Sequence, residues 1–385
     1  MTHRMMVLIL AVLASACSAA EYKQSTLHFK NVPGIESISF ESSFYGYNSA
    51  VNRPLTGGEL AYDYSAHLIK DGDVYRMYAG GRWKRPDVKN ADGDHVMQYV
   101  SKTGAAGTWK MPRNRPEFWI GAEDGQESVW YSGNCLEPEV VKVKGKYYMY
   151  TQVEIGPDTP IDLPGKKSTG SADRIVLFTS TNGTDWTRMT ERGVVVNVEY
   201  PLDTPLHHEE MLYVPWDKDN RPFWMYVAYN EKGAFKGYCR IRSADPTTFD
   251  WKLREPGVGF AQLGNQCAYA KQAPGGPLFV RITFTGDKAG RTVPSLQFSR
   301  DGIGWSFGDD GPVQLDGSRD NTSNKNCYFL GISTIDGTGE LEYLGGNKFR
   351  ALYAATTCNT AVAPEIFNAE IGVGELIFTI EPKSP

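Results

Sequence analysis

Residues 206–216 read LHHEEMLYVPW, two histidines and two glutamates leading into an apolar run. Four ionisable side chains at the head of a strand suit acid–base chemistry. Neighbouring carboxyls raise one another's proton affinity and can keep one of them protonated near neutral pH. Successive strand residues point to opposite sides, so at least one of Glu209 and Glu210 faces inward. Histidine and glutamate also suggest a metal. Adjacent strand residues do not converge on one ion, however, and no HExxH-type helical spacing is present, so no metal site is expected.

Two other strand starts carry similar groups. In NCLEPEVVKV (134–143), Glu137 precedes a comparable apolar run. Counting from carboxylate to apolar pair sets Glu209 opposite Glu137, with Glu210 in the place of Pro138. In ELAYDYSAHLIK (59–70), Asp63, Ser65 and His67 share one strand face.

Repeats along the chain show what must position these residues. DGDVYRMYAGGRW (71–83), KGKYYMYTQVEI (144–155) and NRPFWMYVAYNE (220–231) each pair a polar turn with an alternating aromatic and apolar strand. SKTGAAGTW (101–109), STNGTDW (180–186), SADPTTFDW (243–251) and SRDGIGW (299–305) repeat a second signal: Ser, a tight turn, then a Trp expected to pack between sheets. A fifth unit is read from CYFLGIST (327–334), GELEYLGGNKFRALYAATT (339–357) and GELIFTIE (374–381). The expected fold is all-β, a five-bladed β-propeller with four-stranded blades, filling residues 21–385 as a single domain. STLHFKNV and ESISFESSF (25–44) are expected to complete the last blade.

In such a ring the first strand of each blade lines the axial channel. Asp63, Glu137 and Glu209 or Glu210 then meet at the mouth, while blades four and five offer Asn265 and Gln266, Asn324 and Asn326. A protonated carboxyl beside an ionised one is what glycoside hydrolysis requires, and groups on separate blades stand wide enough apart to admit water, the inverting geometry. His67, His208, Gln266 and Asn326 are candidate hydrogen-bonding groups for a sugar. Arg82 with Trp83, just past the second strand of blade one, is a further substrate-binding candidate. Trp130, Tyr131 and Trp216 are candidate stacking faces.

LEPEVVKVKGKYYMYT (136–151) resembles the Asp-Pro-x-Val-Val-Lys…Gly-x-Tyr-Tyr strand pair of the five-bladed glycoside hydrolases related to arabinanases and xylosidases, glycoside hydrolase family 43 and its neighbours. The resemblance implies Asp63 as base, Glu137 as the group that tunes the acid and orients sugar, and Glu209 as acid. Three departures stand out. Glu137 replaces an Asp, blade one lacks its Asp-Pro with Ser65 in strict register, and Glu209-Glu210-Met211 replaces Glu-Gly-Pro. The alternatives are a carbohydrate-binding propeller without turnover and a lyase or phosphorylase on the same fold. No cofactor is expected, with room left for a structural Ca²⁺ in the channel.

Residues 1–20 read as a secretory leader: Arg4, an apolar run from Met5 to Ala14, then small residues. Leu13-Ala14-Ser15-Ala16-Cys17 resembles a lipobox, and Ser18-x-Ala20 suits ordinary cleavage. An exported protein is expected, periplasmic, extracellular or lipid-anchored to a bacterial membrane, with that anchor its one tie to a membrane. A net charge of −5 without a basic run argues against nucleic acid and leaves carbohydrate as the partner. Five cysteines follow the leader, an odd number that an exported protein can oxidise, and Cys239–Cys267 and Cys327–Cys358 are two candidate bridges among the pairings left open.

Overall fold

The recurring Met-Tyr pair is the local reason this sequence forms a ring of sheets. On a strand the two side chains face opposite sheet surfaces. Met77, Met149 and Met225 are buried against the preceding blade, and Tyr78, Tyr150 and Tyr226 against the following one. One dipeptide therefore supplies both faces of a sandwich of sheets.

The computed structural model describes residues 23–47, 59–84, 94–112, 135–155, 172–189, 195–197, 206–231, 234–258, 266–286, 292–313, 315, 326–358 and 370–384. Strands dominate, with one short 3-10 turn at Trp251–Leu253. Blade one is Glu59–Asp71, Val74–Lys84 and Asp94–Ser101, extended by a bridge from Val100 to Lys110. Blade two is Cys135–Val143, Lys146–Ile155, Ala172–Ser180 and Thr187–Arg188. Blade three is Leu206–Tyr213, Phe223–Glu231, Ala234–Ser243 and Glu255–Val258. Blade four is Cys267–Ala270, Leu278–Gly286 and Thr292–Ser299, with a bridge from Phe298 to Ser306. The five-bladed ring is as expected, but among the described residues the blades vary where four strands were expected throughout: three or four in the first four blades and more in the fifth.

Blade five closes the ring. From the axis outward it runs Asn326–Ile332, Lys348–Cys358 and Glu370–Pro382, then Ile35–Tyr47 and Lys23–His28 from the other end of the chain. The N-terminal strands thus complete the last blade.

The Ser-turn-Trp repeats lie between blades, as their composition suggested. Ser101, Ser180 and Ser299 accept from the backbone N–H of Gly104, Gly183 and Gly302 at 2.8, 2.9 and 2.9 Å. Each turn from blade two to blade four then accepts a tyrosine from the blade before. Tyr78 donates to Gly183 O (2.9 Å), Tyr150 to Pro246 O (2.7 Å) and Tyr226 to Gly302 O (3.0 Å). Trp186 meets Tyr78 edge-on, with ring centroids 5.7 Å apart.

The far end of the channel is crossed by residues 333–341, which leave the inner strand of blade five and touch every other inner strand. Asp336 N donates to Lys70 O (2.8 Å) and Asp336 O accepts from Lys142 N (2.9 Å). Thr338 O accepts from Tyr213 N (3.0 Å) and Gly339 O from Tyr269 N (2.6 Å). This strap forms a floor. Gly337 holds a left-handed φ of 66°, and a Cβ there would be driven into the Val140 carbonyl oxygen.

Gly337→Ala should therefore cost about 1–3 kcal/mol by overpacking alone, beyond its backbone strain. Gly345 has a φ of 89° and open space around its missing Cβ, so Gly345→Ala isolates the backbone part. Calorimetric melting should place Gly337→Ala clearly below Gly345→Ala. Equal melting temperatures would mean the strap does not press on blade two.

Candidate active site

Cross-strand pairing fixes the height of each axial residue. His67 pairs with Tyr78, Glu139 with Tyr150 and Glu210 with Tyr226, so these three stand at one level on blades one, two and three. The floor strap adds a fourth. Tyr269 meets it as Tyr213 does, and Gln266 precedes Tyr269 by the same interval that separates Glu210 from Tyr213.

Just before this level each of the three inner strands bulges. Register slips between Tyr64 and His67, Leu136 and Glu139, and His207 and Glu210. Two residues there face one on the partner strand: Ser65-Ala66, Glu137-Pro138 and His208-Glu209. Ser65 and Glu137 occupy the same place and share a left-handed backbone, with φ of 50° and 51°. A non-glycine residue there carries strain of about 1–3 kcal/mol, and bulges commonly re-aim a side chain beside a site.

This register differs from the sequence count. Glu210 stands opposite Glu139, Glu209 opposite Pro138 and His208 opposite Glu137. Met211, not Leu212, takes the place of Val140, so counting from the apolar pair slipped by one residue. On blade one Ser65 holds the Glu137 position, as strict register indicated. Asp63 lies two residues nearer the mouth, with its backbone paired to Gly81.

His67, Glu139 and Gln266 form a buried polar arc. His67 Nε2 donates to Val140 O at 2.8 Å, which fixes the proton on that nitrogen. Nδ1 lies 2.9 Å from Glu139 Oε2. Gln266 Oε1 accepts from Ile332 N at 2.8 Å, while its amide nitrogen is 3.4 Å from His67 Nε2. Burial raises the Glu139 pKa. The His67 charge and the Met211 N–H oppose that shift, and the charge of Glu137 adds to it.

Glu210 is 2 % exposed and is held from blade four. Its Oε2 accepts from Cys267 Sγ at 2.8 Å, and its Oε1 lies 3.4 Å from an Arg281 guanidinium nitrogen. Burial is the largest influence and pushes the Glu210 pKa from 4.5 to about 7. Arg281 and the Cys267 hydrogen bond pull it down, and the charge of Glu139 pushes it up. Arg281 is fully buried, 3.5 Å from Gln297 Oε1 and with its guanidinium 5.8 Å from the Tyr238 ring centroid. Glu137, 5 % exposed, raises the proton affinity of both Glu139 and Tyr238.

Of the expected site residues, Glu137, Glu210, His67 and Gln266 come together here. The side chains of Asp63, Glu209, His208, Arg82, Trp83 and Asn326 lie outside the described residues, as do Trp130 and Tyr131. Trp216 belongs to the floor end, edge-on to Tyr269 at 4.7 Å, so it is a packing residue rather than a stacking face at the mouth. Three members of the cluster were not expected: Glu139, Cys267 and Arg281. Arg281 had a visible signal, because a charge inside LFVRITF, a strand buried along most of its length, must find a partner.

The Cys239–Cys267 bridge is not formed. Both thiols are free: Cys239 faces the core between blades two and three, and Cys267 faces Glu210. Backbone register pairs Cys327 with Thr357 and Cys358 with Asn326, and both of those thiols lie outside the described side chains. Among the described residues no three His, Cys, Asp or Glu side chains are placed to share a metal ion. His67 has both ring nitrogens turned to protein partners.

No family model matches this sequence, and no curated protein matches it. Solved structures do match its fold. A family 117 glycoside hydrolase of the marine bacterium Zobellia galactanivorans aligns with a TM-score of 0.53 at 14% identity, over 93% of this chain and 90% of that one. The catalytic domain of a family 62 α-L-arabinofuranosidase of Coprinopsis cinerea aligns at 0.52 and 9%, over 85% and 95%. A β-1,2-mannobiose phosphorylase of Listeria innocua aligns at 0.51 and 9%, over 91% and 96%. The propeller architecture is common to all of them.

The cluster has a pH signature of its own. Glu210 holds its proton more tightly folded than unfolded, so its contribution to stability is complete below about 4.5 and is lost as pH rises to about 7. Glu210→Gln removes that loss. Its melting temperature should gain steadily on the wild type between those two pH values and keep a constant lead above them. A lead independent of pH would mean that Glu210 titrates normally.

Proposed function

We propose that this chain is an exported glycoside hydrolase that cleaves an oligo- or polysaccharide with inversion at the anomeric carbon. The observation that carries this reading is Glu210: a carboxyl on the propeller axis, protonated near neutrality, beside the carboxyls of Glu139 and Glu137 from the neighbouring blade. A group with that proton affinity is matched to general acid work at neutral pH. The fold shared with families 62 and 117 supports a carbohydrate substrate, and so does the resemblance of residues 136–151 to their wider group.

In this mechanism Glu210 gives its proton to the glycosidic oxygen as the bond to the anomeric carbon breaks. Water attacks that carbon from the opposite face, and Asp63 takes the proton the water sheds. Glu210 is left as carboxylate and Asp63 as acid, and exchange with solvent resets both. Glu139 keeps the acid protonated, and Glu137, turned by its strained backbone, is placed to orient the sugar. Glu209, next in the strand, is the alternative donor. The chemistry needs no cofactor, and the leader at residues 1–20 would deliver the protein to polysaccharide outside the cytoplasm.

The test is kinetic. On natural linkages Glu210→Gln should lower kcat by roughly 10²–10⁴. On aryl glycosides, whose leaving group needs no proton, it should lose far less. Asp63→Asn should be poor on both. Glu209→Gln, run in parallel, identifies the donor if the leaving-group dependence moves there. NMR of the first-formed sugar should show inverted configuration. A wild-type protein that binds glycans yet releases no sugar would establish the binding-module reading instead.

A further inference from the structure

Blade four brings no described carboxylate to the axis, yet it meets both Glu210 oxygens with its own side chains. Cys267 lies on its inner strand and Arg281 directly opposite on the next, the two paired across the ladder. Cys267 meets Oε2 at 2.8 Å and Arg281 meets Oε1 at 3.4 Å, so the carboxyl is gripped at each oxygen and its plane is fixed. Both residues are buried. Neither is available to solvent or reagents, so a reactive role for the thiol is ruled out by position. What remains is a structural grip on one carboxyl.

We propose that Cys267, with Arg281 as the second arm, is a positioning residue that orients Glu210 and sets how tightly it holds its proton. The functional side of this inference rests on reading Glu210 as the proton donor. The chemistry of a thiol suits the task. An S–H is a weak donor, so it steadies the carboxylate without stabilising it strongly, and sulfur is a weak acceptor toward a carboxylic acid O–H. The proton on Oε2 therefore stays free to leave for a substrate oxygen. A hydroxyl in the same place would bind the carboxylate harder and draw its proton affinity down.

The groups that bear on Glu210 come from three blades. Arg281 and Cys267 favour the carboxylate, while burial and Glu139 favour the acid. Tyr226 and Tyr238 feel the Glu210 charge in return. Changing the thiol alone should therefore move the balance in a direction set by the replacement. Cys267→Ala removes a donor and should shift the basic limb of the kcat profile to higher pH by about one unit, the order expected for losing a hydrogen bond to a charged group. Cys267→Ser supplies a stronger donor and should shift the same limb to lower pH. A packing role would lower activity in both variants and leave the limb where it was.

A second readout needs no substrate. The S–H stretching band of Cys267, isolated as the infrared difference between wild type and Cys267→Ala, should move to lower frequency as Glu210 ionises around pH 7. In a Glu210→Gln background the band should not respond to pH. A band that ignores pH in the wild type, or still moves in Glu210→Gln, overturns the inference. So do basic limbs that coincide in the Ala, Ser and wild-type proteins. A band that titrates as expected in a protein with no glycosidase activity supports the grip and refutes the proposed function, so the two failures are distinguishable.

Discussion

The bond on which the arrangement depends is the tyrosine hydroxyl that each of the first three blades extends into the turn of the next. Donor and acceptor are both taken out of water for Tyr78 and Tyr226, and the Pro246 carbonyl that meets Tyr150 is half-buried. Making the bond gains only about 1 kcal/mol, but leaving either end unpaired would cost about 1–3 kcal/mol. The serine at the head of the turn fixes the conformation that presents the carbonyl in blades two and four. Each of these tyrosines is also the cross-strand partner of an axial residue: Tyr78 of His67, Tyr150 of Glu139 and Tyr226 of Glu210. A contact between blades thus sets the level of a group on the axis. Blade four departs from this, with Ile282 beside Gln266 in the inner ladder, and its contact with blade five is a large apolar core.

Levelling these groups brings carboxyls together where water is scarce. Three ionised carboxylates in such a place would be far too costly, since a buried unpaired charge is the most expensive group a fold can carry. The protein meets this in a different way for each carboxyl. Glu139 stands 2.9 Å from the His67 imidazole, whose charge offsets part of its burial. Glu210 keeps its own proton to about pH 7, with Arg281 close enough to accommodate the anion once it forms. Glu137 stands on a strained left-handed residue. Ser65 occupies the same conformation one blade away, so the bulge belongs to the architecture. What varies is the side chain placed on it.

Much of the fold was legible because the repeats mark local chemistry. A Met-Tyr pair must face two ways, and a Ser-Gly turn before Trp must cap itself, so counting them counts blades. Closure by the N-terminal strands could be read from the alternation in ESISFESSF. The site was harder to read, for a definite reason. Register along a strand is counted in residues, and each inner strand of the first three blades carries two that the ladder skips. One slip exchanges Glu209 for Glu210 and conceals Glu139 behind Glu137. Cys267 and Arg281 were hidden differently. A cysteine in GNQCAYA and an arginine in LFVRITF are each unremarkable until the ladder places them opposite one another and beside a carboxyl from another blade.

The same bonds decide where on the axis chemistry can occur. Blades four, five and one touch one another directly: Gln266 N donates to Leu330 O, Ile332 N donates to Gln266 Oε1, and Ser65 N donates to Thr356 Oγ1. Gly331 permits this, since any side chain there would strike the Ala66 carbonyl oxygen. Backbone therefore fills that side of the ring, and the strap fills the floor. The described titratable groups lie on the remaining side, where His67 of blade one faces blade two, blades two and three meet, and blade four reaches across. In this sense glycine, amide and thiol on blades four and five place the site as firmly as the carboxylates themselves.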